Sequence, residues 1–251
     1  MNQEKTPQKI WNALLVIIFF NLIVLLIVKR NPDFQINIAS LLRYKDIFVD
    51  AYLTTIMISI ISLMLSLFVG MVLFFMGISK KLYLKYFYES YTQIVLGVPL
   101  MIHIIVLYFF LISAIGIKKP EIAGILILSG YMAAYFAKIF EGAYYAIDTQ
   151  QFCMMKVLQL PYFISMKKII LPQIIKNTLP ALTSNFSLLI KSTALLSLIS
   201  VPEFTNVINI YNSKTLEFVT GYLFLAVGYL IITIPLNLAT NWLSRKVVSQ
   251  S

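Results

Sequence analysis

Long apolar runs, each closed by a short cluster of polar and cationic residues, dominate this chain. A helix that crosses the hydrocarbon of a bilayer needs about 20 predominantly apolar residues. Six stretches approach that length: Ile10 to Val28, Ala51 to Ile78, Ile94 to Ile117, Glu121 to Ala146, Pro180 to Ser200 and Phe218 to Leu243. The runs are unbroken instead of alternating with period two, which predicts helices and disfavours the strands of a barrel. The first run is longer than the apolar region of an ordinary signal peptide, and Lys29-Arg30-Asn31-Pro32 offers no small-residue cleavage site. It is read as a retained helix. The expected fold is therefore all-α and polytopic, with six transmembrane helices.

The stretch from Glu141 to Gln173 breaks the pattern. Asp148-Thr149-Gln150-Gln151 supplies a polar helix start, and Phe152, Met155, Leu158 and Gln159 follow at spacings that place several of them on a common helical face. Pro161 ends or kinks that helix. A second short helix, Ile164 to Ile170, carries Lys167 and Lys168 and is expected to stop before Pro172, since a proline disfavours helical geometry at the residue ahead of it, here Leu171. Two short helices joined at a kink would present Met154, Met155 and Phe163 as adaptable apolar contacts for a soluble partner. The alternative is an amphipathic loop that rests on lipid headgroups.

Composition removes the competing classes. Hydrophobic residues make up 60% of the chain, charged residues 12%, and mean hydropathy is +0.86, more apolar surface than a soluble core of this size hides. One cysteine, Cys153, excludes a disulfide within the chain, and with a single histidine it makes a transition-metal site a poor expectation. The formal net charge of +10 flanks the apolar runs instead of forming a basic domain, so it reads as topology and headgroup charge, with no nucleic acid as partner. Lys80, Lys81, Lys85, Lys156, Lys167, Lys168, Lys176, Arg245 and Lys246, with Lys5 and Lys9, fall on the side of both termini. Fewer cations (Lys29, Arg30, Arg43, Lys45, Lys118, Lys119, Lys214) fall opposite, which predicts cytoplasmic termini and a cytoplasmic connector. No Gly-Lys-Ser or Gly-Lys-Thr loop occurs, so any ATP hydrolysis belongs to another polypeptide, and no cofactor is expected.

Several motifs read together carry a resemblance. They are Gly97-Val98-Pro99-Leu100, Ala133-Ala134-Tyr135-Phe136-Ala137, Ile170-Leu171-Pro172-Gln173, Leu188 to Leu195, Val201-Pro202-Glu203-Phe204-Thr205, and Pro235-Leu236 through Trp242-Leu243. From Ala51 to Val247 the chain resembles a permease subunit of the polar amino-acid branch of ABC importers. The resemblance implies a five-helix permease core at 51–247, preceded by an N-terminal helix and linker at 1–50. It also implies a second permease subunit, separate ATPase subunits and an extracytoplasmic solute-binding protein, in a bacterial plasma membrane. The segment 147–173 would be the coupling loop that enters the ATPase, with Gln151, Cys153, Met154, Met155, Gln159, Leu171 and Pro172 as its contact positions.

The chain departs from that family at telling places. The family's Glu-Ala-Ala and later Gly fall at Cys153-Met154-Met155 and Gln159, so both the acid and the glycine are replaced. Lys138 precedes Glu141 where the family has the opposite order of charge; the i,i+3 spacing still allows a local pair. Leu96 and Val98 replace polar residues around Gly97 and Pro99. In the fifth span Lys191, with Asn185, Ser192 and Thr193 nearby, is a costly intramembrane cation, about 2.5–3.5 kcal/mol at mid-helix, expected to border the translocation path or to be a snorkelling structural lysine. His103 joins the path candidates, against a simple packing role. Other readings are a non-transporting, permease-like scaffold and an ion-coupled carrier, the latter disfavoured because the acids cluster at helix ends. The tyrosine-rich stretch at Tyr83, Tyr86, Phe87, Tyr88 and Tyr91 reads as an interfacial belt.

Overall fold

A computed structural model describes residues 36–248, with Leu15, Ile18, Phe19 and Leu22 ahead of them and side chains as far as Thr240 plus Trp242. The expected first span, Ile10 to Val28, lies outside the described residues except at those four positions. All regular structure among the described residues is helical.

A short helix α1 (Ile38–Arg43) opens the described chain, its first turn capped by the Asn37 side chain, which accepts from Ser40 N–H at 3.0 Å. Helix α2 (Lys45–Gly77) runs for 33 residues, about 50 Å at 1.5 Å per residue. That exceeds a hydrocarbon layer of about 30 Å, and its charged residues, Lys45, Asp46 and Asp50, all fall in the first turns. Helices α3 (Leu82–Gly97) and α4 (Leu100–Ile115) form a pair bent by 106° at Val98-Pro99. Val98 is extended and Pro99, lacking an N–H, starts α4 without losing a bond. Helix α5 (Pro120–Tyr145) follows, then α6 (Thr149–Val157) across the connector, then α7 (Tyr162–Ile199), α8 (Phe204–Thr215) and α9 (Phe218–Val248). Helices α2, α5, α7 and α9 are long and apolar enough to cross a membrane, and the bent pair makes a fifth span if counted once.

Two boundaries differ from the sequence expectation. The third span starts at Leu82 instead of Ile94, because Lys85, Glu89, Thr92 and Gln93 interrupt the apolar pattern without breaking the helix. The fifth starts at Tyr162 instead of Pro180, and Pro172 does not stop it: Leu171 is helical at φ −60°, ψ −41°. A proline ring clashes with the carbonyl four residues back in an α-helix, and here that turn is a π-helical stretch, Met166–Ile170, wide enough to take the ring. Pro180 lies inside the helix instead of opening it. The last turns of α7, Thr193–Ile199, tighten to 3₁₀ geometry before the chain reverses at Ser200, φ 59°.

The spans pack through small residues, as helices in lipid do when backbone approach replaces the hydrophobic effect. The crossing of α2 with α5 is closest at Gly70, where an added Cβ would sit 2.9 Å from Phe136 Cβ and 3.0 Å from the Ala133 carbonyl. Gly77 lies under the Tyr88 ring, and Gly124 under Leu196. Several buried hydroxyls find backbone partners: Ser129 donates to the Ile125 carbonyl at 2.6 Å, and Thr55 accepts from Phe204 N–H at 3.0 Å, tying α2 to the start of α8. Large apolar side chains such as Met64, Phe68 and Phe110 face outward, as a hydrocarbon solvent permits.

Candidate functional site: the connector and the bent-helix face

The connector is held from both ends. Asp148 caps α6 by accepting from Gln150 N–H at 2.8 Å. One face of α6 packs inward: Met155 is 9% exposed in a cluster with Ile147, Met166 and Ile170, and Phe152 meets the Tyr144 ring edge-on at 5.5 Å. A polar clamp adds to this, since Gln173 of α7 donates to Gln151 of α6 at 2.9 Å while also reaching the Ile169 carbonyl at 3.0 Å. The opposite face carries Cys153, Met154, Val157 and Leu158, with Val157 81% exposed, and Tyr162 and Phe163 continue the apolar surface beyond the turn. Lys167 lies over the Phe163 ring at 5.9 Å.

Of the residues expected on a common face, Phe152 and Met155 share one, and it turns inward. Phe152 and Met155 point into the protein's own core, whereas Leu158 closes the helix and Gln159 is exposed in the turn. Met155 is buried, whereas Met154 and Phe163 are exposed. Pro172 and Leu171 belong to the long helix α7 and not to the end of a short one.

The turn after α6 follows the pattern that terminates a helix through a left-handed residue. Leu160 N–H bonds the Met155 carbonyl at 3.1 Å, Gln159 N–H bonds the Lys156 carbonyl at 3.0 Å, and Gln159 has φ 50°. Glycine is the usual occupant of that position, and Gln159 is where the resemblance places the family's glycine. The backbone form persists with the wrong residue for it.

The path candidates are spread over the bent pair and α7. Gly97 and Pro99 are exposed at the bend, and nothing lies within 4 Å of a Cβ built on Gly97, so the bend rests on Pro99 more than on the glycine. His103 is half-buried, with Nδ1 3.4 Å from the Pro99 carbonyl and its ring edge-on to Tyr131 at 5.4 Å. Helix α4 packs against the end of α7 through Leu100, Ile104, Leu196 and Ile199. Asn185 and Ser192 spend their side chains on the Ala181 and Leu188 carbonyls, both at 2.9 Å. Thr193 is fully buried and bonds the Ile190 carbonyl at 2.7 Å, so it faces the chain's interior. Lys191 is exposed and forms no ion pair within the described residues.

Lys138 Nζ lies 2.8 Å from Glu141 Oε2 and 4.8 Å from the centre of the Tyr88 ring, while the Tyr88 hydroxyl donates to the same carboxylate oxygen at 2.7 Å. Tyr88 is therefore the third member of this group and is buried, which corrects its place in the interfacial belt; Tyr83, Tyr86 and Phe87 are exposed. The alternation of Tyr88 with outward neighbours is visible in sequence, but its partner is 53 residues away.

One further group escaped the sequence reading. Glu203 is fully buried at the start of α8, accepting from Thr205 N–H at 2.8 Å and Asn206 N–H at 2.7 Å, with the Tyr229 hydroxyl at 3.4 Å. Burial pushes its carboxyl up to about 7 against the pull of those backbone N–H groups. An acid just ahead of Phe204-Thr205-Asn206 is the cap signal that could have located it.

A helix pair bent by 106° and a clamped short helix lying between two long apolar ones define a polytopic helical membrane protein. Residues 70–249 match the family described as binding-protein-dependent transport system inner membrane component, and the chain belongs to it. It is the membrane-spanning permease subunit of an ABC importer. It is 30% identical over 201 residues to a Rickettsia bellii protein named "Putative glutamine transport system permease protein GlnP", covering 80% of this chain and 92% of that one. A nopaline transport system permease protein, NocM, of Agrobacterium fabrum is 26% identical over 76% of this chain and 85% of its own. Among solved structures, an amino acid ABC transporter superposes with TM-score 0.77 at 24% identity over 84% of this chain and 99% of that chain. The inward-facing MetNI methionine ABC transporter does so at 0.67 and 16% identity over 82% and 98%. Those two likenesses show the fold.

Proposed function

We propose that the chain conducts a small polar solute, an amino acid or a close relative, and that α6 is the surface through which a separate ATPase drives it. What carries this reading is the two-faced construction of α6: Met155 and the Gln151–Gln173 clamp fix it rigidly to α7, while Cys153, Met154 and Val157 stay bare. Force applied to such a helix passes into a span instead of being lost in a loop. The relatives named for glutamine and nopaline transport support the solute class.

In this reading 51–247 is the permease core, 147–173 its coupling loop and 1–50 an N-terminal helix with linker, and the connector and both termini face the cytoplasm. A second permease subunit completes the path, and an extracytoplasmic binding protein delivers the solute. Gln151, Met155, Gln159, Leu171 and Pro172 shape the coupling surface, and Cys153 and Met154 touch the ATPase. Gly97, Pro99, His103, Asn185, Lys191 and Ser192 border the path, with Thr193 holding the local backbone and Tyr88 tying the Lys138–Glu141 pair of α5 to α3. A weakly coupled, scaffold-like subunit is the second reading, favoured by the neutral Cys153 and the strained Gln159.

Met154→Asp separates the two. Met154 is 58% exposed, so the variant should insert normally yet lower solute-stimulated ATP hydrolysis of the reconstituted complex by roughly tenfold, the scale of about 1.4 kcal/mol for a charge forced into an apolar contact. Full stimulation by Met154→Asp would remove α6 as the docking surface.

A further inference from the structure

One well-formed apolar concavity among the described residues lies away from the bent-helix face. It is a groove of about 380 Å³ between the first turns of α2 and the middle of α9, floored by Phe48, Phe204 and Gly228 and walled by Val49, Leu53 and Ile231. Its volume suits a small organic occupant or one chain of a larger one. The walls are almost wholly apolar: the Tyr52 hydroxyl is already spent on the Gly228 carbonyl at 3.2 Å. Nothing there would orient a polar solute.

Charge sits at one end only. Lys45 lines the groove mouth and Arg43 lies two residues before it; both are exposed and neither forms an ion pair among the described residues, although Asp46 and Asp50 share the first turns of α2. From Lys45 to Leu53 the helix rises about 12 Å. Because α2 is longer than the hydrocarbon layer and its charged residues all fall in the first turns, Lys45 fits at headgroup level with Val49, Leu53 and Ile231 progressively deeper. A cation at the interface above an apolar channel is complementary to one class of molecule.

We propose that this groove is a binding site for an anionic phospholipid, one acyl chain lying against Val49, Leu53 and Ile231 and the phosphate at Lys45. The lipid fills the cleft between α2 and α9 and covers the Phe204 ring, which rests on Gly228 so tightly that an added Cβ there would meet it at 2.4 Å. Anionic headgroups favour such a site through Lys45 and Arg43, and zwitterionic ones of the same chain length do so less.

The test uses the full-length chain in its purified transporter, delipidated and then offered equimolar phosphatidylglycerol and phosphatidylcholine with identical acyl chains, with retained lipid read by native mass spectrometry. One phosphatidylglycerol per copy of this chain should survive, preferred over phosphatidylcholine by roughly tenfold. Lys45→Glu should abolish the preference, and Val49→Trp should displace both lipids. Lys45 and Val49 are exposed, so neither change disturbs the core, and Lys45→Gln gives the same readout with a smaller loss of preference. Equal retention of the two lipids, or retention unchanged by both Lys45→Glu and Val49→Trp, overturns the proposal. So does quantitative disulfide trapping of Val49→Cys with Leu22→Cys in a Cys153→Ser background, which would give the groove to the chain's own N-terminal segment.

Discussion

Gln159 holds a backbone geometry that costs a side chain about 1 kcal/mol or more and costs glycine nothing. Its φ of 50° is set by the two hydrogen bonds that close α6, so the residue cannot relax without opening the turn. Gln159→Gly should therefore stabilise the protein by about 1 kcal/mol, visible as a higher midpoint of thermal unfolding in detergent. A lower midpoint would mean the Gln159 side chain contributes contacts that outweigh the strain. Glu203 makes a second prediction at this scale. Its folded carboxyl titrates near 7 against an ordinary 4.5, so the folded state binds the proton more tightly than the unfolded state does. Stability from this group is then full below about pH 4.5 and declines as pH rises toward 7, beyond which it is level. Comparing unfolding midpoints at pH 5 and pH 8 should show a larger drop in the native protein than in Glu203→Gln; equal drops would refute the assignment.

At the scale of elements, the α2–α5 crossing is a joint that meets backbone and not only side-chain ends. An isobutyl group at position 70 meets Phe136 Cβ and the Ala133 carbonyl, neither of which is the loose end of a flexible side chain. Gly70→Leu should force the helices apart at about 1–3 kcal/mol, read as lower folded abundance and a lower unfolding midpoint, whereas Gly142→Leu, with open space around it, should be tolerated. Helices α5 and α9 were legible because their apolar runs are long and nearly uninterrupted. Helix α3 was not, since Lys85, Glu89 and Gln93 dilute its pattern while its helical propensity stays good. The onset of α7 was misplaced for a different reason: Pro172 is a correct local signal for helix disruption that a widened turn absorbs, and such a turn leaves no mark in composition. The amphipathic connector was visible, but which of its methionines turns inward depended on Ile147 and Ile170, contacts made only on folding.

For the whole molecule, the exposed cation Lys191 is the residue whose surroundings the single chain does not complete. A lysine near the end of a span is tolerated when it faces water or a protein neighbour, and here it stands beside Ser192 just before α7 tightens. Lys191→Met, at matched membrane abundance, should reduce solute uptake by at least roughly tenfold while leaving assembly intact, the size expected for losing one charged contact. Unchanged uptake would reduce Lys191 to a structural role. Candidate path residues were nameable from sequence because polar side chains in apolar spans are few. That Lys191 and Thr193 point to opposite sides follows from their spacing of two, but which side is the interior was not legible, because it is set by packing against α4 and α5 through Leu196 and Ile199.

The π-helical stretch Met166–Ile170 has a consequence for inheritance as well as for shape. A wide turn of this kind accommodates one more residue than the coil around it, so losing any one of the five would not simply shorten the span. It would close the turn to α-helical width with Tyr162 and Phe163 nearly in place, and drive the Pro172 ring against the carbonyl four residues back, at about 3 kcal/mol. Single-codon deletions in this window should thus be far rarer among functioning descendants of the gene than point substitutions at the same five positions.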